Sequence, residues 1–137
     1  MKGVYISSSP EETIQLGEKI GSFLEPGTII ALKGALGAGK TVFAKGIARA
    51  LGIDQEITSP SYTIISEYSG RIPLFHIDAY RLTGDEDFRL TGGEELLYGQ
   101  GICIIEWSDR LTLLPSSLPV EIGIMADGKR NIICGEI

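Results

Sequence analysis

The first third of the chain alternates apolar and polar positions in a way that predicts a strand followed by a helix. Residues 4–7 predict a short strand. Ser9 is a suitable N-cap, Pro10 suits the first helical position and Glu12 completes a capping box. Apolar residues then recur at helical spacing, namely Leu16, Ile20, Phe23 and Leu24. The pattern predicts a helix that ends at Pro26-Gly27.

A second strand and helix follow with a glycine-rich turn between them. Residues 28–33 are β-branched and apolar, which predicts a buried strand. The apolar positions of the next segment have helical spacing up to Gly52, namely Val42, Phe43, Ala44, Ile47, Ala48 and Leu51. A strand, a tight turn and a helix are therefore expected between residues 28 and 52.

The remaining two thirds of the chain predict mostly strands. The predicted strands cover residues 62–68, 72–77, 102–107, 120–125 and 131–136. Residues 85–98 are polar and interrupted by glycine, and predict at most a short helix. Asp127-Gly128 favours a tight hairpin between the last two strands. We expect a three-layer α/β fold with a mixed, mainly parallel sheet and a C-terminal antiparallel hairpin.

Composition places these elements in one domain that spans residues 1–137. The chain is 43% hydrophobic and 22% charged, which is typical of a globular protein. Twelve basic against eighteen acidic residues give a net charge of −6, which argues against unaided binding to a nucleic-acid backbone. No apolar run approaches the roughly 18 residues of a membrane span, and the start lacks a secretory pattern, so a cytoplasmic protein is expected. Cys103 and Cys134 lie in apolar runs and are expected as reduced core residues.

The glycine-rich turn carries the strongest chemical signal in the sequence. Residues 34–41 match the phosphate-loop pattern G-x-x-x-x-G-K-[ST] between the predicted strand and helix, which makes the expected fold P-loop NTPase-like. In such a loop, backbone N–H groups and the start of the helix bind phosphate oxygens. The candidate nucleotide-binding residues here are Gly34, Leu36, Gly37, Ala38, Gly39, Lys40 and Thr41. Lys40 would reach the β- and γ-phosphates, and the hydroxyl of Thr41 would bind Mg²⁺.

A phosphate loop of this kind needs a carboxylate from a neighbouring strand. Asp78 and Glu106 each follow an apolar run. Glu106 is the favoured metal ligand because four consecutive apolar residues before it predict a central strand. Asp78 would then position the attacking water or bind a loop, although the two roles are interchangeable on these grounds. Either acid could instead cap a turn.

Four motifs resemble, in order, those of the TsaE (formerly YjeE) family, the small ATPases of bacterial tRNA threonylcarbamoyladenosine synthesis. They are residues 34–41, 58–62 (Thr-Ser-Pro-Ser-Tyr), 76–82 (His-Ile-Asp-Ala-Tyr-Arg-Leu) and 105–107 (Ile-Glu-Trp). The resemblance implies ATP and Mg²⁺ as cofactors, with Thr41 and Glu106 as metal ligands. It also implies a switch-like loop at residues 58–62 and the partner proteins TsaB and TsaD. The product would be a threonylcarbamoyl group on the adenosine next to the anticodon of tRNAs that read codons starting with A.

Some positions depart from the family pattern or extend it. Ser61 stands where threonine is usual and Ala35 where an acidic residue is common, but neither change removes a required donor. The resemblance also implies nucleotide contacts at Ser9 and Arg130. A helix cap at Ser9 and a hairpin charge at Arg130 explain these two residues equally well.

Three further residues have competing interpretations. For His76, packing or hydrogen bonding is favoured over a role as general base. For Trp107, a buried structural role is favoured over contact with the nucleotide site or a partner. For Arg81, pairing with Asp78 or Glu86 is favoured over stabilising charge on the γ-phosphate.

The favoured function is therefore a slow Mg²⁺-dependent ATPase that drives partner proteins and touches tRNA only indirectly. The main alternative is a small-molecule kinase, which would need an acceptor pocket and usually an arginine-bearing lid. A GTPase is disfavoured because the chain lacks Asn-Lys-x-Asp and a following Asp-x-x-Gly. Nucleotide binding as a purely structural or assembly signal is the non-enzymatic alternative.

Overall fold

The computed structural model describes residues 2–35, 37–58, 64–112 and 114–136. In these ranges the chain forms a seven-stranded sheet and four α-helices. The strands are β1 (Gly3–Ser7), β2 (Ile29–Gly34), β3 (Ile65–Tyr68), β4 (Leu74–Asp78), β5 (Ile102–Glu106), β6 (Leu118–Ile124) and β7 (Arg130–Cys134). The helices are α1 (Pro10–Gly21), α2 (Lys40–Ala50), α3 (Asp85–Leu90) and α4 (Gly93–Leu97), with a 3₁₀ turn at Ser108–Arg110.

The sheet has the strand order β1-β7-β6-β2-β5-β4-β3. Its centre is parallel, because β2 pairs with β5 and β6, and β5 also pairs with β4. Its flanks are antiparallel, in the pairs β1–β7, β7–β6 and β4–β3. The predicted hairpin is confirmed, with β6 and β7 joined by a turn in which Gly128 has φ +87°. The parallel part of the predicted sheet is confined to its four central strands, since the short β3–β4 and β6–β7 turns require antiparallel neighbours.

Helices α1 and α2 cover one face of the sheet. Phe43, Ile47 and Leu51 of α2 are fully buried against sheet residues of the same core cluster. The two helices approach so closely that a Cβ atom at Gly46 would lie 2.2 Å from the Ile14 carbonyl oxygen. Glycine is required at this crossing, because any larger residue would overlap the neighbouring helix.

The opposite face carries the short helices α3 and α4, which confirms a three-layer arrangement and the short helical structure expected in residues 85–98. Phe88 and Leu97 join a second buried cluster with Ile105 and Cys103. Both cysteines are free and buried, as predicted. Burial raises the pKa of Cys103 to about 12 and also raises the pKa of Cys134, so both remain thiols at neutral pH.

The predicted first helix extends too far. Helix α1 ends at Gly21, and the N–H of Ser22 donates to the Glu18 and Ile20 carbonyls. The chain then turns, so Leu24 is buried but Phe23 is 66% exposed and does not belong to the apolar stripe. Serine after glycine ends the helix before the Pro26-Gly27 stop is reached.

Most predicted strand boundaries shift by one to three residues. The strand predicted from residue 62 begins at Ile65, and positions 62 and 63 lie outside the described residues. Residues 59–62 of the expected switch-like loop, including Ser61, also lie outside them. None of the helices among the described residues has the length and apolar character needed to cross a lipid bilayer.

Candidate functional site

The loop between β2 and α2 forms the centre of the candidate site. It leaves the sheet at Gly34, and α2 begins at Lys40. Gly37 and Gly39 have φ angles of +80° and +111°, which residues with a side chain rarely adopt. Gly39 caps α2 without a side-chain hydrogen bond, so the first N–H groups of the helix lack partners within the helix. Leu36, another predicted nucleotide-binding residue, lies outside the described residues.

Strand register brings both predicted carboxylates to this loop. Asp78 and Glu106 are direct neighbours at the ends of β4 and β5, and Glu106 also lies opposite Leu32 of β2. Lys40 Nζ lies 3.1 Å from Glu106 Oε1. The two side chains are only 13% and 6% exposed, so this ion pair is largely shielded from water. Residues 66 positions apart in the sequence thus form one charged centre.

His76 completes this centre from inside the sheet. Its ring is fully buried, and Nε2 lies 2.7 Å from Glu106 Oε2. An ionised carboxylate can only accept hydrogen bonds, so His76 donates through Nε2. Its Nδ1 has no hydrogen-bond partner within the described part of the chain. The predicted hydrogen-bonding role of His76 is confirmed.

The surroundings of Glu106 keep it ionised. Burial alone raises the pKa of the carboxyl, but the hydrogen bond and charge of His76, followed by those of Lys40, lower it by more. The net effect is a pKa below the usual value. A buried, ionised carboxylate is therefore present beside the loop lysine.

Asp78 has a different environment although it is the register neighbour of Glu106. It is half-buried, and its Oδ1 accepts a hydrogen bond of 3.0 Å from the Tyr80 N–H. This contact is the turn-capping role considered as an alternative for either acid. Asp78 also faces the same open cavity as Glu106, so capping leaves it available to the site.

This cavity has a volume of about 690 Å³ and is lined by most of the predicted site residues. Its polar lining comprises Lys40, Thr41, Asp78, Arg81 and Glu106, beside Gly37 and Gly39 of the loop. Arg81 is exposed at its rim.

The exposure of Trp107 contradicts its interpretation as a buried structural residue. It is 41% exposed and has a φ of +60°, which among the described residues is the only positive φ outside glycine. The left-handed backbone turns the indole out of the sheet directly after Glu106. Lys40 Nζ lies 5.6 Å from the indole centroid, within the range of a cation–π contact. The alternative, a tryptophan at the nucleotide site, fits this position.

Sequence reasoning assigned no role to Tyr80. Its ring centroid lies 4.9 Å from that of Trp107, and the Arg110 guanidinium carbon lies 5.4 Å from the Tyr80 ring. Tyr80 belongs to the 76–82 motif, and its aromatic side chain two positions after Asp78 is the signal that the sequence offers.

Ser9 and Arg130 lie on the other side of the loop between β2 and α2. Both border a smaller cavity of about 300 Å³ together with Gly37, Ala38 and Gly39. Ser9 caps α1, with its hydroxyl oxygen accepting from the Glu12 N–H. Arg130 donates to the carbonyls of Gly37, Ala38 and Gly128. The structure therefore brings both residues to the loop while giving each a contact within the protein.

The donors around the larger cavity suit a hard divalent cation bound together with phosphates. Thr41 supplies a hydroxyl, and Asp78 and Glu106 supply carboxylate oxygens, the ligand chemistry that Mg²⁺ prefers. Within the described residues no cluster of three or more His, Cys, Asp or Glu side chains could hold a metal by itself. A magnesium ion that keeps several waters and phosphate oxygens as ligands needs few ligands from the protein. These residues fit Mg²⁺ with a nucleotide.

Fold and site define a mixed α/β protein with a phosphate-loop sequence between a central strand and its following helix, flanked by acidic strand ends. The chain belongs to the TsaE family: the family model described as threonylcarbamoyl adenosine biosynthesis protein TsaE matches residues 7–132.

Individual relatives agree with this assignment. A tRNA threonylcarbamoyladenosine biosynthesis protein TsaE from Treponema pallidum is 45% identical over 129 residues, covering 93% of this chain and 96% of that protein. A TsaE protein from Bacillus subtilis is 42% identical over 114 residues, covering 82% of this chain and 69% of the relative. The crystal structure of Bacillus subtilis YdiB matches with a TM-score of 0.81 and 34% identity, covering 98% of this chain and 86% of that one.

Proposed function

We propose that this chain is an ATP-binding, Mg²⁺-dependent and slowly hydrolysing ATPase of tRNA threonylcarbamoyladenosine biosynthesis, acting with the proteins TsaB and TsaD. The contact between Lys40 and Glu106 at 3.1 Å carries the proposal. It joins the lysine of the phosphate-loop pattern to a buried acid at the end of a neighbouring parallel strand. In P-loop NTPases these two kinds of residue hold the phosphates and the metal ion.

The loop supplies the phosphate-binding groups. Positive φ angles at Gly37 and Gly39 allow the backbone N–H groups around them to converge, and the start of α2 adds the positive end of its dipole. Lys40 would bind β- and γ-phosphate oxygens. Phosphate binding therefore rests on backbone groups together with one lysine.

Thr41 and Glu106 are the proposed metal ligands. Bound there, Mg²⁺ would neutralise charge on the phosphate oxygens. Asp78 has its Oδ1 on the Tyr80 N–H, which leaves its other oxygen for a water molecule at the cavity. We assign Asp78 the positioning of the attacking water.

Nucleotide binding would change the charge balance of the site. Lys40 pairs with Glu106, so binding of phosphate oxygens by Lys40 would compete with this carboxylate. Glu106 would then keep His76 on Oε2 and present Oε1 to the site. The same carboxylate can thus hold the lysine before binding and serve the cation afterwards.

The proposed partners are suggested by the family and by the net charge of the chain. The TsaE relatives bear names that place them in tRNA threonylcarbamoyladenosine biosynthesis. The net charge of −6 disfavours direct binding of tRNA by this chain alone, so TsaB and TsaD would make the contact with tRNA.

Replacement of the loop lysine tests the nucleotide site. Lys40→Ala should weaken binding of ATP·Mg²⁺ at least tenfold by calorimetry, because Lys40 supplies a charge at the phosphates. Lys45→Ala, an exposed lysine of the same helix, is the matched control and should bind like the unaltered chain. ATP binding that is absent in the unaltered chain, or unchanged in Lys40→Ala, would refute the proposal. Comparison with GTP separates an adenine-specific site from a GTPase.

A further inference from the structure

Arg130 links the C-terminal hairpin to the phosphate loop. It is the first residue of β7, and its guanidinium donates three hydrogen bonds to backbone carbonyls. Nε donates to Ala38 at 3.0 Å, Nη2 to Gly37 at 3.3 Å and Nη1 to Gly128 at 2.6 Å. One side chain thus joins two consecutive loop carbonyls to the hairpin that carries it.

The geometry of these bonds determines how the loop peptides are turned. Nε and Nη2 form one edge of the planar guanidinium, which can hold two acceptors at once. In a planar trans peptide the C=O and N–H groups point in opposite directions. Because Arg130 holds the Ala38 carbonyl, it turns the Gly39 N–H away from itself.

The loop needs such a constraint because of its glycines. Gly37 and Gly39 have positive φ angles, and a Cβ at either position would meet no atom within 4 Å. Ala38 between them is buried, and its N–H donates to the Ala35 carbonyl. The two glycines themselves have no such restriction from side-chain packing, and glycine has more backbone freedom than any other residue. A rigid, always charged group bonded to the two carbonyls reduces this freedom before any phosphate arrives.

We propose that Arg130 is a positioning residue that, through the Gly37 and Ala38 carbonyls, holds the peptide between Ala38 and Gly39 with its N–H in a phosphate-binding orientation. This rests on the proposed nucleotide-binding function and specifies how Arg130 serves it. Arg130 acts on phosphate through the loop, and direct contact with the nucleoside in the smaller cavity is the competing role. The two roles differ in whether the benefit depends on the nucleoside.

Affinity for a phosphate chain without a nucleoside distinguishes the two roles. Calorimetry measures Mg²⁺·ATP and Mg²⁺·tripolyphosphate on the unaltered chain, Arg130→Ala and Arg130→Lys. A positioning role predicts that both ligands weaken by a similar factor, on the order of tenfold, in both variants. Lysine restores the charge but cannot hold two carbonyls with one planar edge, so it should not rescue binding. Lys129→Gln removes a neighbouring exposed charge and should leave both affinities unchanged.

Two readouts separate positioning from a general loss of structure. Guanidinium at millimolar concentration, far below denaturing levels, should restore tripolyphosphate binding to Arg130→Ala, whereas ammonium at the same concentration should not. In the protein without added nucleotide, hydrogen exchange at the Gly39 N–H should be faster in Arg130→Ala and unchanged in Lys129→Gln. Circular dichroism verifies that the variants are folded. If Arg130→Ala is not folded, Arg130→Lys replaces it in the affinity and exchange measurements.

The outcomes are distinguishable. Weakened ATP binding with unchanged tripolyphosphate binding would establish nucleoside contact and overturn the positioning role. Unchanged affinities or unchanged loop exchange would also overturn it. If the unaltered chain binds neither ligand, the nucleotide-binding proposal fails and the positioning role fails with it.

Discussion

At the scale of single residues, Glu106 organises the site. A carboxylate on a side chain that is 6% exposed would be costly to ionise without partners, and here Lys40 and His76 contact its two oxygens. Removing one partner from such a buried group is typically more damaging than removing an exposed pair. The chain therefore holds a charged oxygen next to the loop between β2 and α2, and under the proposed function this oxygen would accept the cation when Lys40 binds phosphate.

The roles of the two acids can be separated by paired substitutions. Glu106→Gln should keep ATP binding within a few fold but reduce Mg²⁺-dependent turnover about a hundredfold, because the amide is a poor cation ligand. Asp78→Asn should reduce turnover while the concentration of Mg²⁺ needed for half-maximal activity changes little. Magnesium titrations of ATPase activity provide the measurement.

Glu67→Gln is the control for this pair, since Glu67 is an exposed acid of β3 away from the cavity. Its activity and magnesium dependence should match those of the unaltered chain. A large rise in magnesium requirement for Asp78→Asn, with none for Glu106→Gln, would exchange the two assignments.

At the scale of elements, local signals in the sequence predict more than long-range ones. Signals that act within a few residues predict the structure correctly, namely the loop glycines, the Ser9 cap and the Asp127-Gly128 turn. The end of α1 at Gly21 was missed because Leu24 remains buried after the helix has ended and so imitates its apolar stripe. The pairing of His76 and Lys40 with Glu106 depends on strand order, which no local pattern specifies.

Trp107 illustrates a further limit of the sequence. Trp107 follows Glu106 at the end of a strand of buried residues, where an aromatic side chain is expected to be buried, but its left-handed backbone ends β5 and exposes the ring. A positive φ at a bulky residue is uncommon and has no sequence signature here. Such strain is found preferentially at functional sites, and this residue adjoins Glu106.

The crossing of α1 and α2 gives a stability prediction. Gly46→Ala should lower the free energy of unfolding by about 1–3 kcal/mol, because its Cβ would overlap the Ile14 carbonyl oxygen and force the helices apart. Chemical denaturation measures the change. Gly99→Ala is the matched control, since the nearest atom to its Cβ would be 3.5 Å away. Equal stability of the two variants would show that the helices do not need this close approach.

The end of β5 gives a spectroscopic prediction. Trp107 is the sole tryptophan, and its ring lies 5.6 Å from Lys40 Nζ. Saturating ATP·Mg²⁺ should change its emission, because Lys40 would move to the phosphates and new charges would enter the cavity. The change should shrink in Thr41→Ala and Glu106→Ala but persist in Lys45→Ala. Calorimetric binding without any spectral change would show that the indole does not sense the site.

At the scale of the whole molecule, the strand order places the loop between two sets of residues with different proposed roles. β2 lies between β5 and β6, so the acidic ends of β4 and β5 are on one side of the loop. The β6–β7 hairpin with Arg130 is on the other side. The parallel centre thus supplies the charges of the proposed chemistry, and the antiparallel flank supplies a support for the loop.

The openness of this arrangement leads to a prediction about turnover. The larger cavity is bordered by exposed side chains such as Arg81 and Trp107, so water remains close to the proposed phosphate site. Charge that develops on a transferred phosphoryl group is best stabilised where water is excluded and a further cation approaches. We therefore expect the purified chain to hydrolyse ATP well below the roughly 10 s⁻¹ median of enzymes. TsaB and TsaD together should raise this rate by closing the site.

Steady-state ATPase measurements test this expectation, with the chain alone, with TsaB and TsaD, and with tRNA added to the three proteins. Lys40→Ala in the same mixtures is the control for hydrolysis by the partners themselves. Stimulation should require both partners, and tRNA should have no effect on the isolated chain, since any contact with it is proposed to be indirect. A rate for the isolated chain near that of ordinary enzymes, unaltered by TsaB and TsaD, would contradict a partner-driven ATPase. It would indicate that the residues at this sheet edge complete the catalytic site unaided.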